Sequence, residues 1–131
     1  MELKLATRSV LPTPREFAIL EWLWSRKSAN SSDLYEAFGR SWHVRRQVMN
    51  GILQIMLEKG FIEQQSVQSR IIYKPALNRL ELEQVIIRQL ADSLFHGSLY
   101  ALWRSLIRHP QFQMALEDHG GTMTGDEQQL N

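Results

Sequence analysis

The chain contains no cysteine, which excludes disulfide bonds and thiolate metal sites and fits a reducing compartment. No stretch approaches the roughly 18 apolar residues that a membrane-spanning helix needs. We therefore expect a cytoplasmic protein that does not associate with a membrane.

Residue patterns typical of catalysis are also missing. The four histidines show no i, i+4 pairing and no carboxylate at ligand spacing, and there is neither a Gly-rich phosphate loop nor a nucleophile elbow. These absences predict a protein that is not an enzyme and that binds no cofactor and no metal. A metal site formed by His96 and His109 is the alternative.

The formal net charge of +1 conceals an asymmetry between two parts of the chain. Residues 1–75 contain 11 Lys and Arg against 7 Asp and Glu, a balance of +4, whereas residues 76–131 contain 4 against 7, a balance of −3. A basic front part predicts contact with a polyanion, although charges on unrelated surfaces would give the same totals.

Two helices are predicted before residue 40. Thr13, Pro14 and Glu16 supply an N-cap, a proline at the first helical position and a capping-box glutamate, so a helix should run to about Arg26. A polar loop over residues 27–32, in which Asn30 and Asp33 have capping-box spacing, and a shorter helix over residues 32–38, ended by Gly39, should follow. The predicted core residues of these helices are Phe17, Ile19, Leu20, Leu23, Trp24, Leu34, Tyr35 and Phe38.

The most informative stretch is residues 41–59, which we interpret as an amphipathic helix closed by Gly60. At about 100° per residue, one face carries the apolar residues Val48, Met49, Ile52 and Met56. The other face carries Arg46, Gln47, Asn50, Gly51, Gln54 and Glu58. Amides suit the edge of adenine, arginines suit phosphate or guanine, and glycine permits a close approach of the backbone.

Two short β-type runs follow, residues 61–65 and 70–74, around a polar turn at residues 66–69. Three helices and a hairpin form the winged helix-turn-helix arrangement, in which the third helix enters the major groove and the hairpin lies beside the DNA backbone. The predicted fold class is therefore mainly α. Arg70 and Lys74 are placed to meet phosphates.

Beyond Pro75, Asn78 and Glu81 form a capping signal for a helix over residues 80–95, and Ser98 can cap another over residues 99–107. A last short turn is predicted over residues 111–117. The two helices carry more apolar surface than they can bury on each other, which favours association with a second copy. Packing back onto the preceding domain is the alternative. The residues expected at a dimer contact are Ile86, Leu90, Leu94, Phe95, Leu99, Leu102, Trp103 and Leu106.

The predicted organisation has four parts. An N-terminal arm over residues 1–11 precedes a winged-helix DNA-binding domain over residues 12–76 and a helical dimerisation region over residues 77–117. Residues 118–131 are read as a polar, disordered tail.

The order of these elements, and several strings within them, resemble the penicillinase-repressor family of bacterial transcriptional regulators. The strings lie at residues 14–24, 58–62 and 72–75 and in the paired helices from Leu80, so that the resemblance covers about residues 12–107. It implies a cytoplasmic dimer that binds a palindromic operator in double-stranded DNA.

Of two further family properties, the resemblance implies a proteolytic switch only in part and excludes copper sensing. Some members are inactivated when a sensor protease cuts their C-terminal helices, and the corresponding position here is Ser105-Leu106 in place of Asn-Phe. Copper sensing in the family uses cysteines, which this chain lacks.

Relatives also show a Thr-x-x-Thr-x-x-x-Arg-Leu pattern in the third helix. The corresponding positions here carry Val48, Gly51, Ile55 and Met56, so both threonines and the arginine are absent.

The leading hypothesis is a dimeric DNA-binding transcriptional regulator, specifically a repressor, that uses the helix 42–59 and the wing 61–75. The alternative is a dimeric protein-interaction adaptor that has kept the winged-helix fold without specific DNA binding, motivated by the changed third-helix pattern. The candidate DNA-binding residues are His43, Arg45, Arg46, Gln47, Asn50, Gly51, Gln54, Arg70 and Lys74.

Overall fold

The computed structural model describes residues 11–118, in which six helices accompany a small antiparallel sheet. In chain order the elements are α1 (Pro14–Arg26), β1 (Ala29–Asn30), α2 (Ser31–Leu34), a π-helical turn (Tyr35–Gly39), α3 (Arg46–Lys59), β2 (Ile62–Val67), β3 (Arg70–Pro75), α4 (Arg79–Leu94), α5 (Leu99–Ile107) and α6 (residues 110–118). The predicted class, a winged helix-turn-helix followed by C-terminal helices, is confirmed. The predicted arm and tail fall almost wholly outside the described residues.

Helix α1 begins at the predicted capping box. The backbone N–H of Glu16 donates to Thr13 Oγ1 at 3.2 Å, and the N–H of Thr13 donates to Glu16 Oε1 at 2.9 Å. Ile19, Leu20 and Leu23 are fully buried in the core. The capping box therefore fixes where α1 begins, and these three side chains attach the helix to the core.

The predicted stripe also included Phe17 and Trp24, and both of these side chains are only partly buried. They pack edge to face with ring centroids 5.9 Å apart, and Trp24 Nε1 donates to the carbonyl oxygen of Leu77 at 2.9 Å. Trp22 packs against Phe38 instead, at 5.7 Å between ring centroids. The two tryptophans thus cover different borders of the core.

The sheet contains a strand that the sequence analysis missed. β1 lies in the predicted loop and pairs with β3, with Ala29 opposite Tyr73, so that the strand order is β1-β3-β2. The predicted hairpin is present, with β2 and β3 in register from Ile62 opposite Pro75 to Val67 opposite Arg70. Phe61, predicted within the wing, precedes β2 and is buried.

The second predicted helix, over residues 32–38, corresponds to two elements in the structure, α2 and the π-helical turn. Asn30 caps α2 through Asp33, and after Leu34 the backbone widens into the π-helical turn, which reaches Gly39. A Cβ at position 39 would collide with the ring of Tyr35, so glycine is required here for packing.

Helix α3 begins at Arg46 and not at residue 42 as predicted. The difference arises because His43 has a left-handed backbone, with φ +57°, and Arg45 is extended, with φ −79° and ψ 162°. The end of α3 is as predicted, with Gly60 left-handed at φ +83°.

The chain divides into two compact units between Ile86 and Ile87, within α4. In the first unit, Leu82 belongs to the core and Ile86 packs against it. Asn78 and Glu81 form the predicted capping box of α4, and Ser98 caps α5 through the N–H of Ala101. In the second unit, Trp103 and Phe112 pack edge to face at 6.2 Å.

Candidate nucleic-acid interface

Helix α3 buries one face and exposes the other. Met49, Leu53 and Met56 are fully buried, so these three side chains attach the helix to the core. The predicted buried face is wrong at Val48, which is 46% exposed, and it omitted Leu53. At 100° per residue Val48 lies about 100° from Met49 and about 140° from Leu53, on the border of the outward face.

The outward face consists of three parallel rows of different chemistry, because residues three and four positions apart are neighbours on a helix. The middle row carries Gln47, Gly51 and Gln54, all exposed. On one side lie the exposed residues Arg46 and Asn50. On the other side lie Val48 and Ile55, 46% and 45% exposed.

The N-terminal end of α3 favours anions. Arg45 occupies the N-cap without a side-chain cap, and no acidic residue lies in the first turn. Since the first amides of a helix carry partial positive charge, a phosphate group is stabilised at this end. His43, Arg45 and Arg46 are all exposed around it.

Arg46 is held in place by two residues that the sequence analysis did not assign to the site. Its guanidinium lies 4.4 Å from the ring centroid of Tyr35 and 4.0 Å from Glu36 Oε2. A cation stacked on an aromatic face is attracted by the ring quadrupole, so Tyr35 supports the arginine from below. No sequence signal indicated this contact, because the π-helical turn sets the orientation of Tyr35.

Glu36 is shared between two arginines. Arg40 Nε donates to Glu36 Oε1 at 2.9 Å, and this hydrogen bond is the main reason that the pKa of Glu36 is lowered from its ordinary value of 4.5. The same hydrogen bond raises the pKa of Arg40. Glu36 therefore remains ionised beside Arg46 at neutral pH and orients it.

The wing places Arg70 directly after its turn, where it is exposed. Gln68 and Ser69 form this turn with φ of +50° and +67°, the backbone of a type I′ hairpin. Lys74 is half-buried and pairs with Glu63 at 3.5 Å. Such a surface pair contributes little energy, so Lys74 can exchange it for a phosphate.

Sequence comparison identifies the family. The family model described as penicillinase repressor matches residues 12–119, which is 108 of the 131 residues. The chain belongs to the penicillinase-repressor family. No curated protein matches the sequence. Membership makes this chain a transcription regulator of a DNA-binding repressor family and confirms the resemblance on which the sequence analysis relied.

In this penicillinase-repressor family member, α3 is also anchored at its C-terminal end. Lys59 Nζ donates to Glu16 Oε1 at 2.9 Å and to Oε2 at 3.2 Å, and the side chains are 17% and 5% exposed. The glutamate that caps α1 thus also fixes the end of α3, so the two helices are positioned by one carboxylate.

The residues predicted at a dimer contact differ in exposure. Leu90, Leu94, Leu99, Trp103 and Leu106 are exposed, at 39%, 68%, 50%, 52% and 47%. Leu102 is buried, at 6%, and Ile86 and Phe95 are half-buried. Ser105 and Leu106 lie in the last turn of α5.

Residues 11–118 were also compared with what a metal site and a membrane-spanning helix require. No three His, Asp or Glu side chains in this range come together as a metal would require. None of the helices described there combines the length and the apolar character that crossing a membrane demands.

Proposed function

We propose that this chain is a repressor that binds a palindromic operator as a homodimer, with α3 in the major groove and the wing along the DNA backbone. The observation that carries the proposal is the outward face of α3. It exposes amides, arginines and a glycine on a helix whose opposite face is fixed in the core. Side chains of these types read base edges and phosphates.

The basic residues fit this arrangement. Arg45 and Arg46 lie at the start of α3, and Arg70 and Lys74 lie on the wing, so each copy offers four cations to the phosphates. A dimer would then neutralise about six phosphates if Arg46 contacts a base and about eight if it contacts a phosphate, which predicts a slope between about −5 and −7 for log affinity against log salt.

Dimerisation is supported by the second unit, whose exposed leucines and Trp103 form the apolar side of α4 and α5. Leu102 is already buried within one chain, so we assign it to internal packing and the exposed residues to the contact between copies. Sizing at micromolar concentration should give a dimer, and Leu94→Asp should give a monomer. A wild-type monomer would contradict this part of the proposal.

The DNA proposal is tested by gel-shift selection of the full chain on random duplexes at low salt. A palindromic site should be enriched. Arg46→Ala should relax the preference at particular bases, costing about 1–3 kcal/mol if the contact is bidentate. Arg70→Ala should weaken all duplexes alike and reduce the salt slope by about 2 for the dimer.

The adaptor hypothesis makes the opposite prediction in the same experiment. No duplex would be enriched above the others, and a pull-down would recover one stoichiometric protein partner. Enrichment of a palindrome refutes the adaptor, and the absence of any enriched duplex refutes the repressor.

A further inference from the structure

We infer that α3 reads thymine through a methyl-reading row, defined as Val48 and Ile55, whose branched side chains contact thymine C5-methyl groups in the major groove on either side of the neighbouring Gly51. This inference rests on the proposed function and names a feature of the DNA that the surface recognises. Its starting point is that Val48 and Ile55 are 46% and 45% exposed although neither helps to fill the core.

These two residues are unusual on an exposed helix face. Branching at Cβ restricts the side chain and lowers helix propensity relative to alanine, lysine or glutamate. The core side of α3 is already filled by Met49, Leu53 and Met56, each with no exposed surface. The packing of the core therefore does not account for these two branched side chains.

The row has a simple shape. Gly51 lies three residues after Val48 and four before Ile55, on the same side of the helix. A Cβ at Gly51 would meet no atom within 4 Å, so the row consists of two branched side chains separated by an open gap. Seven residues correspond to a rise of about 10.5 Å, so Val48 and Ile55 are too far apart to contact one base and would contact different base pairs.

DNA fits this row better than a protein partner does. A stable protein interface buries about 800 Å² on each side, far more than two branched side chains offer. The neighbouring row carries Gln47 and Gln54, and exposed arginines lie at the start of the helix, as suits a polar, anionic duplex. Thymine is the base whose major-groove edge presents an apolar group.

The test compares thymine with uracil, because uracil lacks only the C5-methyl and keeps every hydrogen-bonding group. The probe is the duplex recovered from the random-sequence selection, resynthesised with uracil at one thymine position at a time, and the protein is the full chain. Wild-type protein should lose about fourfold in affinity at each contacted thymine, the equivalent of one buried methyl group.

Substitutions then show which side chain contacts each methyl group. Val48→Ala should remove the uracil effect at one thymine of each half-site, and Ile55→Ala should remove it at another. Asn50→Ala, on the opposite border of α3, should weaken binding but keep both uracil effects. Leu80→Ala is the matched control, since Leu80 is an apolar side chain on α4 with 63% exposure. Thermal melting of each variant verifies that it is folded.

The outcomes separate this inference from the proposed function. A selected duplex that shows no uracil effect overturns the methyl-reading row and leaves operator binding standing. A uracil effect that persists in both alanine variants also overturns it, because other residues would then contact the methyl groups. If no duplex is enriched at all, both the row and the operator proposal fail.

Discussion

Replacing Gly51 by alanine should stabilise the protein while weakening its function. Glycine within a helix costs about 0.8–1.0 kcal/mol relative to alanine. Gly51 lies inside α3, five residues after Arg46 and eight before Lys59, so the full value applies. A Cβ at this position meets no atom within 4 Å, so no steric clash offsets the gain. The free energy of unfolding should rise by about 1 kcal/mol.

The effect on DNA binding should have the opposite sign. Gly51 lies in the middle row of the outward face, where a methyl group would occupy the space into which a base edge approaches. Overpacking a close contact costs about 1–3 kcal/mol, which corresponds to a loss of roughly 5- to 150-fold in affinity. A glycine that lowers the stability of a helix is expected at positions used for binding, so its place in α3 fits a contact with DNA.

Gly60→Ala is the matched control. A Cβ there also meets nothing within 4 Å, but φ is +83°, a conformation that costs an L-residue about 1–2 kcal/mol. The midpoint of urea unfolding should therefore rise for Gly51→Ala and fall for Gly60→Ala. In thermal melting, 1 kcal/mol corresponds to roughly 4–8 °C for a domain of 60–100 residues. If Gly51→Ala binds the selected duplex as tightly as wild type, the reasoning about Gly51 is refuted.

The two ion pairs and the wing turn that position the candidate site can each be tested by substitution. Lys59→Met should lower the free energy of unfolding by about 3 kcal/mol in urea titrations, because it leaves the buried carboxylate of Glu16 with only its capping hydrogen bond. Adding Glu16→Gln should restore part of the loss. Ser69→Gly should slow hydrogen exchange in the wing, because glycine adopts the positive φ of this turn without strain; equal or faster exchange would contradict the type I′ assignment. The carboxyl group of Glu36 should titrate in NMR below its ordinary pKa of 4.5, and Arg40→Ala should raise that pKa. Since the folded pKa is lowered, the stabilising ion pair is present at neutral pH and is lost as pH falls through that lowered value.

Local capping signals in the sequence predicted the starts of α1, α2, α4 and α5. The capping boxes at Thr13, Asn30 and Asn78, and the serine cap at Ser98, are all present as hydrogen bonds between residues three apart. Such contacts depend only on residue type and spacing, so the sequence contains the information needed to predict them.

Contacts between distant residues were predicted less well. β1 is two residues long and exists because Ala29 and Asn30 pair with Tyr73 and Ile72, more than 40 positions away. The start of α3 was placed too early because the periodicity of residues 41–59 does not reveal the left-handed backbone of His43. In both cases tertiary context overrides the local pattern.

Residue type and position in the sequence suggested which residues belong to the candidate site, whereas their geometry came from the structure. Arg46 was predicted to contact DNA because of its residue type and its position at the start of the amphipathic stretch. Its orientation depends on the ring of Tyr35, and the ring position depends on Gly39, since any Cβ there would displace it. Gly39→Ala should therefore weaken DNA binding at the base or phosphate that Arg46 contacts, although residue 39 lies outside the contact surface. Footprinting of the selected duplex should show that Gly39→Ala and Arg46→Ala lose protection of the DNA at the same positions. Loss of protection at different positions would mean that Tyr35 does not orient the arginine.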